Sequence, residues 1–273
     1  MKNHTIIHLS PDCENCFGLC CVALPYAKSS DFALNKEGGT PCKNLQSDFR
    51  CRIHADLRNK GFKGCTVFEC FGAGQKVSQE TYNGQDWRAN PASAKEMFDV
   101  FPIMQQLHEM LLYLNEALTL EEARPIYKDI QKSIEETEKL TNLSPTAILE
   151  LNLPLHRAMV NELLLQTSHF VRAKVKKNPK HRNINRRMDL LGAKLTGENL
   201  KGTNFRGAFL IAADLRQADL RYSDFIGADL RDTDLRGANL LGSIFLTQAQ
   251  VNAAFGDRNT KLPTSLKTPA HWL

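Results

Sequence analysis

Eight cysteines stand between Cys13 and Cys70, and none occurs in the 203 residues that follow. They form two runs, Cys13-x2-Cys16-x3-Cys20-Cys21 and Cys42-x8-Cys51-x13-Cys65-x4-Cys70, with His54 beside the second in Cys51-Arg-Ile-His54. A C-x2-C step lets two thiolates converge on one ion across a tight turn, and thiolate-rich tetrahedral sites select zinc or iron–sulfur clusters. Two adjacent cysteines diverge in regular structure, so one of Cys20 and Cys21 is expected to ligate while the other packs or serves a second site. The compartment decides what such thiols do. Met1-Lys-Asn-His-Thr-Ile-Ile-His has no apolar core of a signal peptide, and the longest apolar runs are too short for a membrane span. A cytoplasmic protein without membrane contact is expected, where thiols point to metal or redox chemistry before disulfides. The expected ligands are Cys13, Cys16, Cys20, Cys21, Cys42, Cys51, Cys65 and Cys70, holding an iron–sulfur cluster or zinc. The surplus of cysteine over histidine favours the cluster. Buried structural thiols and disulfides are the competing readings.

The run C-x2-C-x3-C-C, followed by Pro41-Cys42, Arg50-Cys51-Arg-Ile-His54 and Cys65, resembles a bacterial family described as zinc- or iron-chelating. His54 takes a place usually held by tyrosine, and Leu57-Arg58-Asn59 lacks the usual Arg-Pro. The resemblance covers residues 13–70 and implies metal binding.

Other chemistry is not spelled out. There is no G-x-S-x-G, P-loop, H-E-x-x-H or complete dinucleotide fingerprint, and Phe71-Gly-Ala-Gly-Gln75 is too little for a phosphate loop. His108, His156 and His169 read as ordinary helix residues. The net charge of +5 comes from one segment, Arg172 to Arg187, with eight positives and no acid. Such a stretch is a nucleic-acid candidate, but it lacks aromatics to stack on bases and reads better as a solvated linker.

The elements that carry this chain show a repeat. From Leu190 a large apolar residue returns every five positions, through Leu195, Leu200, Phe205, Leu210, Leu215, Leu220, Phe225, Leu230, Leu235 and Leu240 to Phe245. A small residue precedes most of them by two, and glycine often follows by two. Helices of period 3.6 and strands of period 2 do not generate this spacing. A four-sided coil does, and the 20-residue spacing of Phe205, Phe225 and Phe245 predicts one stacked column. Ala218-Asp219-Leu220-Arg221-Tyr222 and Ala228-Asp229-Leu230-Arg231-Asp232 resemble the pentapeptide-repeat family, whose unit is A-(D/N)-L-x-x. The resemblance implies a right-handed quadrilateral β-helix of twelve repeats, about 15 Å tall at the strand spacing. It also implies kinship with resistance and immunity proteins, some of which shield DNA gyrase by imitating duplex DNA. Here the charges are mixed: residues 188–247 carry seven positives and eight negatives, which argues against such mimicry. Leu191, Phe209, Ile211, Ile226, Ile244 and Leu246 are expected to form a covered apolar flank. Thr247 to Phe255 reads as a capping helix, with the tail ending at Trp272 packed back on the coil.

Between these parts, Asn90-Pro91 reads as a helix start, with a kink near Pro102. Thr119-x-x-Glu122 reads as a capping box opening a helix to about Leu140. Further starts fall at Ser144-Pro145 and at Asn152 to Pro154. The expectation is a multidomain α+β protein: a cysteine-rich metal module at 1–88, helices at 89–175, a basic linker at 176–187, the repeat solenoid at 188–247, and a cap and tail at 248–273. Its function reads as binding, through a protein partner or a homodimer on the solenoid, with protection or antibiotic resistance as the outcome. The alternative is a metal-dependent enzyme using the solenoid as scaffold.

Overall fold

The structure is a computed structural model that describes residues 9–175 and 189–273. The basic linker at 176–187, and most of the basic run with it, lies outside the described residues, as does Met188. The chain forms two compact units: Met1–Thr119 with Pro125–Leu164, and Leu120–Arg124 with Leu165–Leu273.

The first unit is built on helix. The cysteine runs are mostly turns, punctuated by short helices α1 (Leu19–Val22), α2 (Lys63–Thr66) and α3 (Ala73–Gln75), the last continuing as a π-helical turn over Lys76–Thr81. The spine is α4 (Pro91–Thr119), which buries Met97, Val100, Phe101, Met104, Leu107, Leu111 and Leu114 at helical spacing. Pro102 sits inside this continuous helix. Leu19, Val22, Ala73, Val77 and Trp87 complete one core with Met97, Phe101 and Met104. Trp87 Nε1 donates to Phe17 O at 2.9 Å, tying the cysteine-bearing turns to that core.

The capping box expected at Thr119 does not open an α-helix. Glu121–Ile126 form a 3-10 turn containing Pro125, and α5 (Tyr127–Thr141) starts after it. Proline lacks the N–H that an α-helical ladder would need there. Helix α6 (Pro145–Leu149) has the expected N-cap, with Ser144 Oγ accepting from Ala147 N. Helix α7 (Leu153–Ala173) follows. The buried histidines lie in helices, as expected: His108 Nδ1 meets Phe71 O at 2.8 Å, and His156 Nε2 meets Thr137 Oγ1 at 2.9 Å.

In the second unit the pentapeptides stack with a register of 20 residues. Asp189 pairs with Phe209, Lys194 with Asp214, Asn199 with Asp219 and Asn204 with Asp224, each as a single parallel bridge. Leu200, Phe205, Leu210, Leu215, Leu220, Phe225, Leu230, Leu235, Leu240 and Phe245 all point into the interior, at most 1% exposed. Phe205 and Phe225 stack with centroids 5.1 Å apart. The small residues between them close the remaining gaps: Ser223 Oγ donates to Leu200 O at 2.9 Å and Thr233 Oγ1 to Leu210 O at 2.7 Å.

The expected α+β class and quadrilateral β-helix are corrected by this structure. Among the described residues there is no strand and no sheet; the chain is helix and coil, and its rungs meet through isolated bridges. The reason lies in the period. Each five-residue unit spends one residue at positive φ, at Gly192, Gly197, Gly202 and Gly207, then at Ala212, Gln217 and Tyr222 where glycine is missing. Too few extended residues remain between corners to build a ladder.

The coil is closed at its C-terminal end. Helix α8 (Gln248–Ala253) is held by a capping box of Thr247 and Gln250. Phe255 then pairs with Asp234 and Lys261 with Asn239, continuing the stack. Trp272 is buried against the repeat core and donates through Nε1 to Ala254 O at 3.0 Å. The expected apolar flank divides. Ile244 and Leu246 are buried, whereas Leu191 and Phe209 are 63% and 52% exposed. Leu191 and Phe209 therefore do not meet the expectation of cover.

Candidate metal centre

None of the eight cysteines is in a disulfide. Turns and short helices bring them into two groups. Cys16, Cys20 and Cys70 pack at the edge of the Leu19–Met104 core. Cys21, Cys42, Cys51 and Cys65 pack around Leu57 and Phe62 with Tyr26 and Phe32. Cys13 is exposed and stands within electrostatic reach of Cys16 and Cys21.

The groups meet at the adjacent pair on α1. Cys20 Sγ and Cys21 Sγ are 4.0 Å apart. The expectation that these two diverge is therefore half right: they join different apolar clusters, yet their sulfurs touch. Their contact leaves one proton favoured on Cys20, whose thiol is held well above its usual range by the bond to Cys21 and by burial. Cys21 is pushed down by the same bond, with burial opposing and Lys36 assisting.

A backbone amide bonds the Cys42 sulfur, and amides stand near three more. Burial pushes the Cys16 thiol up, against the N–H groups of Leu19 and Gly18 and the Ser78 hydroxyl. Burial likewise raises Cys70, against the amides of Gly74 and Gly72, and Cys51, against the amide of Ile53. Asn44 N donates to Cys42 Sγ at 3.5 Å, and Tyr26 Oη donates to it at 3.3 Å. In each case the amide near the sulfur belongs to the residue two beyond the cysteine, and at Cys42 the hydrogen bond is formed. Gly18 and Gly72 hold positive φ. Such donors favour thiolate over thiol. Cys65, in contrast, is pushed up to about 12 by burial and by Cys21, Cys42 and Cys51.

Two features here escape a reading of cysteine spacing. Lys36 is 7% exposed, donating from Nζ to Val22 O, Glu37 O and Thr40 O at 3.0, 3.0 and 2.9 Å. It is a fixed cation beside Cys42, Cys21 and Cys20. Gly74, within the G-x-G of Phe71-Gly-Ala-Gly-Gln75, lets two sulfurs approach: a Cβ there would lie 2.7 Å from Cys16 Sγ and 3.9 Å from Cys70 Sγ. The Cys-x-Gly spacings at Cys16 and Cys70 were the available signal. His54 stands exposed on a 3-10 turn.

The donor type fits a soft metal: eight thiols, with Cys42 Sγ already accepting from Asn44 N. The ligand geometry is not preset, because among the described residues no three His, Cys, Asp or Glu groups are arranged to hold one ion.

Two comparisons relate the chain to known proteins, one through its repeat and one over nearly its full length. The model of the family "Pentapeptide repeats" matches eight copies, over residues 189–221 and 213–245. The Bacillus subtilis (strain 168) protein named "Uncharacterized protein YybG" is 68% identical over 271 residues, covering 98% of this chain and 97% of its own length. This chain belongs to the YybG family. No solved structure matches it.

The repeat offers a surface whose charges are tied down. Asp214, Asp219, Asp229 and Asp234 each accept from the arginine two residues on, Arg216, Arg221, Arg231 and Arg236, with closest ion-pair distances of 2.5 to 2.7 Å. Arg216 also lies 3.7 Å from Asp234 on the next turn. Inside, Arg206 reaches the fully buried Asp224 at 3.0 Å. These are rigid, self-neutralised faces, with Leu191 and Phe209 exposed among them. No helix among the described residues is long and apolar enough to cross a membrane.

Proposed function

We propose that this protein acts by binding, without turnover: the pentapeptide coil presents a rigid surface to a protein partner or a second copy, and the cysteine unit is a thiolate metal module, holding zinc or an iron–sulfur cluster, that stabilises or senses. Protection of a cellular target from a toxic agent is the outcome this reading favours. The single observation that carries the metal reading is the gathering of seven unbridged thiols into two neighbouring clusters that touch at Cys20 Sγ and Cys21 Sγ, 4.0 Å apart. The Asn44 amide on Cys42 Sγ is the kind of donor a buried thiolate needs to stay charged. Ligation asks the sulfurs to turn between staggered χ1 wells, a small motion for a side chain of one torsion.

The test is anaerobic purification with metal analysis. Near-stoichiometric zinc or iron is expected, with Cys16→Ser losing metal and destabilising the N-terminal unit. Metal-free protein that is fully folded overturns the reading. A spectrum that shifts on adding a small substrate would favour an enzyme instead, since it reports an open coordination position.

A further inference from the structure

Resting on the metal reading above, we infer that the eight thiols form two separate four-thiolate sites: Cys13, Cys16, Cys20 and Cys70 make one, and Cys21, Cys42, Cys51 and Cys65 make the other, meeting at the Cys20–Cys21 peptide. The division follows the packing for seven of the eight, and Cys13 joins Cys16 through the C-x2-C step. Cys16, Cys20 and Cys70 share one apolar cluster, and Cys21, Cys42, Cys51 and Cys65 share another. A point above Gly74 lies within 4 Å of both Cys16 and Cys70 sulfurs, although 54 residues separate them in sequence. In the second group Cys42 N donates to Cys21 O at 2.9 Å, and Leu45 pairs with Cys51, which brings the second run of cysteines back to α1.

Each group holds two cysteines in turns: Cys16 and Cys70 each stand two residues before a glycine at positive φ, Gly18 and Gly72, while Cys42 and Cys51 open turns closed by Leu45 N to Cys42 O at 2.9 Å and His54 N to Cys51 O at 3.1 Å. Two turns per group, together with its two further cysteines, supply the four sulfur ligands a tetrahedral ion takes. The groups differ in charge. Four thiolates on a divalent ion leave two negative charges, and Lys36, buried beside Cys21 and Cys42, offsets one of them. The one exposed thiol, Cys13, lies in the first group.

The experiment titrates the reduced, full-length chain with Co(II) under argon, counting tightly held ions from the thiolate charge-transfer band and by native mass. Wild type is expected to hold two Co(II). Paired substitutions within one group, Cys13→Ser with Cys70→Ser or Cys51→Ser with Cys65→Ser, are expected to leave one. The cross-group pair Cys13→Ser with Cys65→Ser, the same number of thiols lost, is expected to weaken both ions at least tenfold. The helical circular dichroism of each variant identifies those that fold. Cys13→Ser alone, at an exposed residue, is expected to weaken one ion and spare the other, so the test survives a misfolded pair. One Co(II) in wild type, or equal loss from within-group and cross-group pairs, overturns the division while the metal reading stands. No Co(II) in wild type overturns both.

Discussion

Replacing Gly256 by alanine is expected to loosen the C-terminal closure of the coil. A Cβ at that position would stand 2.3 Å from Trp272 Cε3, 2.4 Å from Cδ2 and 2.6 Å from Cζ3. Carbon atoms at ordinary contact lie about 3.5–4.0 Å apart, so the indole must move by about 1 Å or more. The backbone does not require glycine, because Gly256 is not among the positive-φ residues. The cost is therefore the cost of moving Trp272, which is 5% exposed and bonded through Nε1 to Ala254 O. Two limits bracket it. If the ring shifts within its pocket, overpacking costs about 1–3 kcal/mol. If the tail lets go, the loss approaches that of truncating a buried tryptophan, about 3–5 kcal/mol. The chain takes the cheaper route, so about 2–3 kcal/mol is expected. Urea unfolding of the full chain measures it, with Trp272 fluorescence following the tail. The decisive comparison is a double-mutant cycle: in a Trp272→Ala background, Gly256→Ala is expected to cost less than about 0.5 kcal/mol. An equal penalty in both backgrounds, or none in the first, refutes the steric argument.

Asp224→Ala should be among the most damaging changes in the repeat, about 3–5 kcal/mol by urea unfolding, because it leaves Arg206 partly buried without the carboxylate it meets at 3.0 Å. Lys36→Met is expected to cost about 1–3 kcal/mol, since Val22 O, Glu37 O and Thr40 O lose their shared donor; an unchanged unfolding curve would show that solvent reaches those carbonyls. Asp214, Asp219 and Asp234 are held below the usual carboxylate range by Arg216, Arg221 and Arg236 respectively. Their folded pKa values are depressed, so their stabilisation is present above the unfolded carboxylate value of about 4 and is lost as pH falls below it. The melting temperature of the coil should fall between about pH 4 and pH 2, and less steeply in Arg221→Gln; a flat profile for wild type would count against the clamps.

The repeat was legible in the sequence for a physical reason: a coil with a small, fixed period must return the same residue type to the same place. The inward positions Leu190 to Phe245, the 20-residue register and the corners at Gly192, Gly197, Gly202 and Gly207 could all be read by counting. The helix starts at Pro91 and Pro145 were readable because caps are local. The family resemblance misled where its β-helix gave strands to sides that spend too many residues on corners. Counting misled at Thr119, where a local capping signal competed with Pro125 three residues past Glu122.

For the cysteines, sequence by itself determined the chemical type and little more. Clustering in residues 13–70 announced thiol chemistry, but cysteine spacing carries no period from which partners follow. Which sulfur neighbours which depends on long-range closure: Cys70 comes beside Cys16 because Gly74 has no side chain to keep them apart, and Cys42 comes beside Cys21 through a backbone hydrogen bond across 21 residues. The burial of Lys36, and its three carbonyl partners, likewise exists only once residues 22, 37 and 40 are folded together. Short-range patterns are written in the chain because their causes are local; the grouping of the thiols is written only in the tertiary structure because its causes are not.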